Sequence, residues 1–221
     1  MPYTWRFDVV QANLPFILQG LGTTVATTVL CMIGSLLLGL FVALARLSPW
    51  RILNLPAYTY TELFRTTPLL VQIVWILYVL PLMTGIILTP FYSGLVALSL
   101  NVGAFMAEIF RAGVLSVSRG QTDAGLTLGM TKFQTMHRII MPQAVTRMIP
   151  PMASMWVSLF KDTSVLSAIG VTELMFQARV VAVETYRPLE IFTVVALVYF
   201  VITYPQSIGV NYLYKRFRTQ E

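Results

Sequence analysis

Charge is what this sequence has least of. Asp, Glu, Lys and Arg make up 11% of the 221 residues, where a soluble domain carries about 25%. Too little polar material remains to coat a water-facing surface, so a freely soluble globule is excluded. Cysteine and histidine are nearly absent, with only Cys31 and His137 present. A single cysteine excludes an intrachain disulfide, and its place in an apolar run marks Cys31 as a small packing residue. His137 has no second histidine or cysteine near it, so no metal site is expected. HExxH and GxSxG patterns are missing, which removes the usual nucleophile, base and metal constellations of an enzyme. Catalytic residues are therefore expected to be none. No glycine loop ends in Lys-Ser or Lys-Thr to cradle phosphates, since Lys132 follows Gly129 at the wrong spacing. The net charge of +6 does not signal nucleic acid, because the basic residues are scattered among apolar segments and form no single patch.

What the chain has is long apolar runs. Hydrophobic residues reach 57% and the mean hydropathy is +0.74. A membrane-spanning helix needs about 20 apolar residues to cross a hydrocarbon core of about 30 Å. No charge occurs between Asp8 and Arg46, and residues 20–45 are expected to form the first span, with Gly34 and Gly39 as small positions for close helix contact. The mixed stretch 7–18 is expected to lie along the membrane surface. The uncharged stretch between Arg65 and Glu108 holds two spans, 58–80 and 91–111, separated by Pro81, Gly85 and Pro90. Residues 112–143 turn polar and read as a pair of short helices outside the bilayer. A fourth span is placed at 145–168, with Pro150 and Pro151 suiting a helix start. The last is 191–214. Trp50, Tyr58 and Tyr92 suit anchoring at the membrane interface. The chain is thus expected to be all-α and integral to the membrane, one domain over 1–221.

Five spans put the two termini on opposite sides. One side then holds Arg46, Arg51, Arg65, Arg111, Arg119, Lys132, Arg138, Arg147, Lys215, Arg216 and Arg218, and the other only Arg6, Lys161, Arg179 and Arg187. The excess of basic residues marks the first side as cytoplasmic. The C-terminus and polar loop are expected there, and the N-terminus outside.

Inside the polar loop, Asp123-Ala124-Gly125 is followed by Gly129 and then Ile139-Ile140-Met141-Pro142. Small residues allow close approach to a partner, Gly129 can break a helix in two, and Pro142 is expected to end the excursion. At these positions the chain resembles the membrane subunits of ABC importers, whose coupling loop reads Glu-Ala-Ala, three residues, Gly, nine residues, Ile-x-Leu-Pro. The spacing fits with no gap, and Asp123, Gly125 and Met141 depart in side chain. The segments FRTTPLLVQ (64–72), AEIFRAG (107–113), RGQTDAGLTLGM (119–130) and KDTSVLSAIG (161–170) resemble the polar amino-acid branch of that family.

The resemblance implies the five-helix core of a type I importer permease in a bacterial cytoplasmic (inner) membrane. It implies a dimer of ABC ATPase subunits docked on Gly120, Asp123, Ala124, Gly125, Gly129, Ile139 and Pro142. It also implies a second permease subunit, identical or related, an extracytoplasmic substrate-binding protein and an amino-acid substrate, all in a shell of lipid. No cofactor is expected in this chain, with ATP and Mg on the partner ATPase.

Polar side chains inside the spans are candidates for the substrate path. Lys161 and Asp162 are costly in lipid. They fall near mid-membrane if the fourth span starts at Pro150, and near the far surface if it starts close to Ala144. Asp162, with Thr163 or Ser164, can accept hydrogen bonds from a substrate ammonium group; alternatively the segment stabilises a helix break. Gln72 and Asn101 either bond between helices or line the path. Glu108 and Arg111, three residues apart, are expected to pair. A secondary transporter and a membrane scaffold are the competing readings.

Overall fold

The computed structural model describes residues 3–218, and all regular structure among them is helical. We number the helices α1 (Phe7–Leu47), α2 (Arg51–Thr66), α3 (Leu69–Thr84), α4 (Pro90–Leu115), α5 (Arg119–Thr127), α6 (Lys132–Ile169), α7 (Leu174–Thr185) and α8 (Pro188–Arg218). By length and composition α1, α4 and α8 can each cross a membrane, and the bent pairs α2–α3 and α6–α7 raise the number to five.

The pairing of helices carries the topology. Cys31 Sγ donates to the Leu95 carbonyl (3.6 Å) and Ser35 Oγ to the Ser99 carbonyl (3.2 Å), so α1 and α4 lie parallel with a constant register of 64 residues. Close approach is possible because Gly39 faces Gly103, Met106 and Ala107, and a Cβ at Gly39 would stand 2.5 Å from Met106 Cβ. Gly34 meets Ser99 in the same way. That register sets Leu47 level with residue 111 and Pro90 level with residue 26. The 21 residues between those levels rise about 31 Å, the thickness of a hydrocarbon core. The segment from Leu47 to Pro90 must therefore travel back across that distance, and α2 with α3 makes the return. Gly113 packs on Met148 and Gly94 on Leu166, so α6 runs antiparallel to α4 over the same height. Trp156 bonds Gln206 and Phe160 meets Tyr199, so α8 in turn runs antiparallel to α6. Tyr3 and the Arg6 backbone N–H bond Glu190 at the start of α8, whereas Tyr214 lies by Ser154 at its far end. The two ends of the described chain are thus at opposite ends of the bundle.

Several local expectations are corrected. Residues 7–18 are not a separate surface segment, since α1 is continuous from Phe7. Val10 and Ile17 are buried against Leu174, Ala178, Val181 and Ile191, and this packing extends the helix beyond the membrane-thick part. The stretch 58–80 is not one helix. It breaks at Thr67–Pro68, where α2 and α3 meet at 110°. Thr67 is extended (φ −91°, ψ 143°), as a residue before proline prefers.

Prolines inside α6 go the other way. Pro142 does not end the loop, and Pro150 and Pro151 do not start a helix, because all three lie within α6. The turn Met136–Ile140, which ends two residues before Pro142, is widened, and the Met141 N–H bonds the Met136 carbonyl five residues back. The turn Trp75–Val79 does the same two residues before Pro81. A proline ring clashes with the carbonyl four residues earlier and brings no N–H for it. A wider turn shifts that carbonyl row and lets the helix continue.

Candidate functional site

Three groups of residues stand out, beginning with the polar hairpin at the basic end of the bundle. Helix α5 ends in a left-handed glycine, Gly129 (φ +78°). The Met130 N–H bonds the Gly125 carbonyl (3.1 Å) and the Gly129 N–H the Leu126 carbonyl (3.0 Å). This pair of bonds satisfies the last carbonyls of the helix and turns the chain. Helix α6 then starts from a reciprocal cap: the Thr131 N–H donates to Gln134 Oε1 (2.9 Å), and the Gln134 N–H to Thr131 Oγ1 (3.2 Å). The two arms touch at Gly125, where a Cβ would lie 2.9 Å from Thr135 and 3.1 Å from Ile139.

The seven hairpin residues singled out by sequence therefore divide. Gly125 and Ile139 hold the arms together, and Gly129 makes the turn. Gly120, Asp123, Ala124 and Pro142 are exposed. A Cβ on Gly120 would meet nothing nearer than Ser118 Oγ at 4.0 Å, so nothing inside the chain requires a glycine there. Sequence reasoning missed two neighbours. Leu128 is 79% exposed and Phe133 77% exposed, with Leu126 and Met136 beside them. Their signal was available, as large apolar side chains in the one polar segment of the chain.

The second group sits at the α2–α3 break. Ending α2 at Thr66 frees carbonyls that no helical N–H reaches. Gln72 Nε2 donates to the carbonyls of Phe64 (2.9 Å) and Thr67 (3.0 Å) and to Thr67 Oγ1 (2.6 Å). Asn101 Nδ2 donates to the Phe64 carbonyl (2.9 Å) and to Gln72 Oε1 (3.1 Å). Both amides are thus committed to the broken helix, and the Tyr60 hydroxyl adds a bond to the Leu100 carbonyl (2.6 Å). The structure brings Gln72 and Asn101 together as a staple between helices.

The third group is Lys161–Ser164. Between the Gly113–Met148 and Gly94–Leu166 contacts, Lys161 falls level with residues 99–100. That is about 14 Å inward from Pro90 and about 17 Å from Arg111. The pair Lys161–Asp162 thus falls about midway between those two levels of the bundle, on a helix that starts at neither Pro150 nor Ala144. Lys161 is exposed, while Asp162 and Ser164 are half-buried. Thr163 is fully buried, and its hydroxyl donates to the Phe160 carbonyl (2.8 Å). The helix tightens to 3₁₀ over Thr163–Ile169 and ends at left-handed Gly170 (φ +84°).

Charged residues gather at the basic end of α4. Arg111 Nε donates to Glu108 Oε2 (3.1 Å), and Arg46 reaches the same carboxylate at 3.5 Å. Arg46 also lies over the Tyr58 ring, 5.0 Å from its centroid. Glu108 therefore ties α1 to α4, beyond the i,i+3 pair expected with Arg111. At the opposite end a fully buried carboxylate, Glu173, accepts from the N–H groups of Met175 (2.9 Å) and Phe176 (2.6 Å) and from the Tyr199 hydroxyl (3.2 Å). It caps α7, and sequence reasoning missed it, although a lone acid between two apolar runs is a capping signal.

Comparison with known proteins places this arrangement. The pattern that defines the binding-protein-dependent transport system inner membrane component family matches residues 35–219. The glutamine transport system permease protein GlnP of Escherichia coli (strain K12) is 34% identical over 219 residues, covering 99% of both chains. The L-cystine transport system permease protein TcyB of Bacillus subtilis (strain 168) is 39% identical over 212 residues, covering 95% of this chain and 90% of that one. Among solved structures, a chain of an amino acid ABC transporter with histidines superposes with a TM-score of 0.91 at 34% identity. It covers 97% of this chain and 100% of that chain. A chain of the MetNI methionine ABC transporter shares the fold at 17% identity, with a TM-score of 0.76 and coverage of 93% and 98%.

Proposed function

The chain belongs to the family of binding-protein-dependent transport system inner membrane components, and from that premise we propose that it is the permease subunit of an ATP-driven importer of a polar amino acid. The observation that carries the reading is full-length likeness to amino-acid permeases together with an outward apolar patch on the polar hairpin. Leu128 and Phe133 stand in a segment otherwise made for water, and exposed apolar side chains so grouped mark a contact surface.

In this reading the chain is one permease domain over 1–221, with the basic end in the cytoplasm and the N-terminus outside, in a bacterial inner membrane. ATP and Mg act on a separate ATPase dimer, which docks on the hairpin through Gly120, Asp123, Ala124 and Pro142 and covers Leu128 and Phe133. Gly125, Gly129 and Ile139 keep the hairpin rigid, so closure of the ATPases is delivered to α4 and α6 as a rigid-body rotation. Arg147 adds to that stiffness, since its guanidinium bonds the Ser116 carbonyl and ties the root of the hairpin to α6. A second permease, identical or related, completes the path, and an extracytoplasmic binding protein delivers the amino acid. Asp162 is the candidate acceptor for the substrate ammonium group, with Lys161 and Ser164 beside it. Gln72, Asn101 and Thr163 support that region through the backbone bonds described above.

The test is purification of the tagged chain from its native membrane in mild detergent. An ATPase co-purifies with the native chain and is lost from a Gly129→Arg chain that still elutes as a folded membrane protein. A preparation that carries no ATP-binding subunit in any of several detergents returns the chain to the secondary-transporter or scaffold readings.

A further inference from the structure

Where α1 hands over to α2, the chain makes a firmly bonded turn at the basic end of the bundle. Asn54 Nδ2 donates to the Arg46 carbonyl (2.7 Å), and the Trp50 N–H donates to Ser48 Oγ (3.2 Å). Beside this turn lies a cleft of about 490 Å³, lined by Pro49, Arg51, Asn54, Leu55 and Tyr58. None of the roles assigned above uses it. The register that sets Leu47 level with residue 111 puts the cleft at the edge of the apolar core, where lipid headgroups begin.

Charge around the cleft is unbalanced. Arg51 opens α2 and pairs with no carboxylate among the described residues. Trp50 supplies no side-chain cap, and the first turn of α2 holds no acidic residue, so the positive end of that helix is uncompensated. Tyr58 carries a second cation on its ring, the Arg46 guanidinium at 5.0 Å from the centroid. The Arg46 side chain is 10% exposed, and its Nη1 makes no hydrogen bond, standing 3.5 Å from a Glu108 carboxylate that Arg111 also holds. Arg65 is matched by Glu62 (3.9 Å). Arg46, Arg51 and Arg111 thus stand against one carboxylate, and the enclosure of Arg46 makes an unbalanced charge costly. The outward surroundings, by contrast, are apolar. Trp50 is 68% and Ile52 80% exposed, and Leu37, Leu40, Phe41 and Leu44 form an exposed stripe at helical spacing on α1 that ends one turn before Ser48.

We infer that this cleft binds the phosphodiester headgroup of an anionic phospholipid, whose acyl chains lie along the Leu37–Leu44 stripe of α1. The Arg51 guanidinium and the first N–H groups of α2 receive the phosphate, and the excess positive charge beneath Tyr58 selects a lipid of net negative charge. A free anion has no use for an apolar stripe leading away from its site, whereas an acyl chain does. Trp50 suits the same level of the bilayer. The bound lipid fixes the start of α2, the helix that breaks at Thr67–Pro68. The inference uses only the seat of the chain in a membrane, and it stands or falls apart from the importer reading.

The test uses the chain purified in mild detergent with whatever subunits accompany it, and counts bound lipid by native mass spectrometry. Phosphatidylglycerol and phosphatidylcholine with the same acyl chains are titrated in turn. Phosphatidylglycerol fills a saturable site on each chain at a concentration about tenfold below phosphatidylcholine, the effect of one to two basic groups on a net negative headgroup. Arg51→Gln brings the two lipids to within about twofold. Lys132→Gln, which removes the same charge from the exposed hairpin, keeps the native ratio. Equal binding of both lipids by the native chain, or an equal loss in Lys132→Gln, overturns the site. Glycerol phosphate in excess leaves the bound phosphatidylglycerol in place; displacement makes the cleft a seat for free phosphate esters and overturns the lipid. Leu55→Cys gives a reading that needs no arginine variant, because the native cysteine is fully buried and label is weighed on this chain alone. Phosphatidylglycerol slows its reaction with a maleimide about tenfold relative to phosphatidylcholine, in step with the difference in occupancy. Equal rates in the two lipids overturn the proposal, and so does a thiol unreactive in both, which marks a protein contact.

Discussion

Toward α1, helix α4 presents Gly103, Met106 and Ala107 so closely that a Cβ on Gly39 would lie 2.5 Å from Met106 Cβ. Toward α6 and α8 the same helix borders a groove of about 760 Å³. The first contact is built of small residues and of hydroxyl and thiol groups bonded to carbonyls, and it runs in one register from Cys31 to Gly39. The second combines prolines, serines and arginines around open space. Inside lipid no hydrophobic effect draws helices together, so tight van der Waals packing is what fixes a pair. The α1–α4 pair therefore meets backbone to backbone, whereas α6 meets α4 through side chains seated on glycines, Met148 on Gly113 and Leu166 on Gly94, with the groove beside them. A transporter that alternates between two packed states needs both kinds of interface on one helix.

Breaking the α1–α4 contact is expected to have the largest effect. Gly39→Leu forces a side chain into backbone contact and costs about 3 kcal/mol, read as loss of the monodisperse peak and a lowered melting temperature in detergent. Ser154→Leu, on the groove side, sharpens the contrast, since it leaves the melting temperature near the native value and abolishes uptake. A Gly39→Leu chain that melts like the native chain removes the distinction. Next in size is the staple at the helix break. Gln72→Leu leaves the carbonyls of Phe64 and Thr67 short of donors and costs about 2 kcal/mol; Gln72→Glu, which removes the donating amide without changing the shape, tests whether the lost donors are the cause.

A smaller effect, confined to transport, is expected at mid-depth. Asp162→Ala weakens half-saturation for the amino acid about tenfold, the size of one hydrogen bond to a charged group, with the melting temperature little changed. Unchanged affinity and rate would remove Asp162 from the path. The smallest is Gly120→Ala. A Cβ there has open space, so α5 gains about 0.5–1 kcal/mol of helix stability, while stimulation of the ATPase by substrate falls a few-fold because the new methyl stands at the docking surface. Equal stimulation by both chains would place Gly120 outside that surface.

Much of this was legible in sequence, and what was not has a common cause. The turn at Gly129 could be read because a left-handed cap is a property of a few neighbouring residues. The clustering of basic residues at one end could be read because hydropathy sums locally. The break at Thr67–Pro68 was also signalled, since the residue before proline avoids the helical region, but the apolar run around it masked the signal. Pro142, Pro150 and Pro151 misled for the opposite reason. Proline stops an isolated helix, yet inside a packed bundle a wider turn and neighbouring side chains absorb the missing bonds. The roles of Gln72 and Asn101 were open, because the carbonyls they satisfy belong to residues 29–37 positions away along the chain or are exposed only by the break itself.

By itself, the sequence determined that the chain lives in lipid, that it carries one structured polar hairpin, and that its basic residues favour one side. Each follows from composition within a window of neighbouring residues, which the solvent reads directly. Only the tertiary structure decided the depth of Lys161 and Asp162, the parallel register of α1 and α4, and which polar groups staple a break and which border open space. Those depend on how far one helix slides and rotates against another, and that is set by side chains meeting across 29 to 72 residues, a distance over which local propensity carries no information.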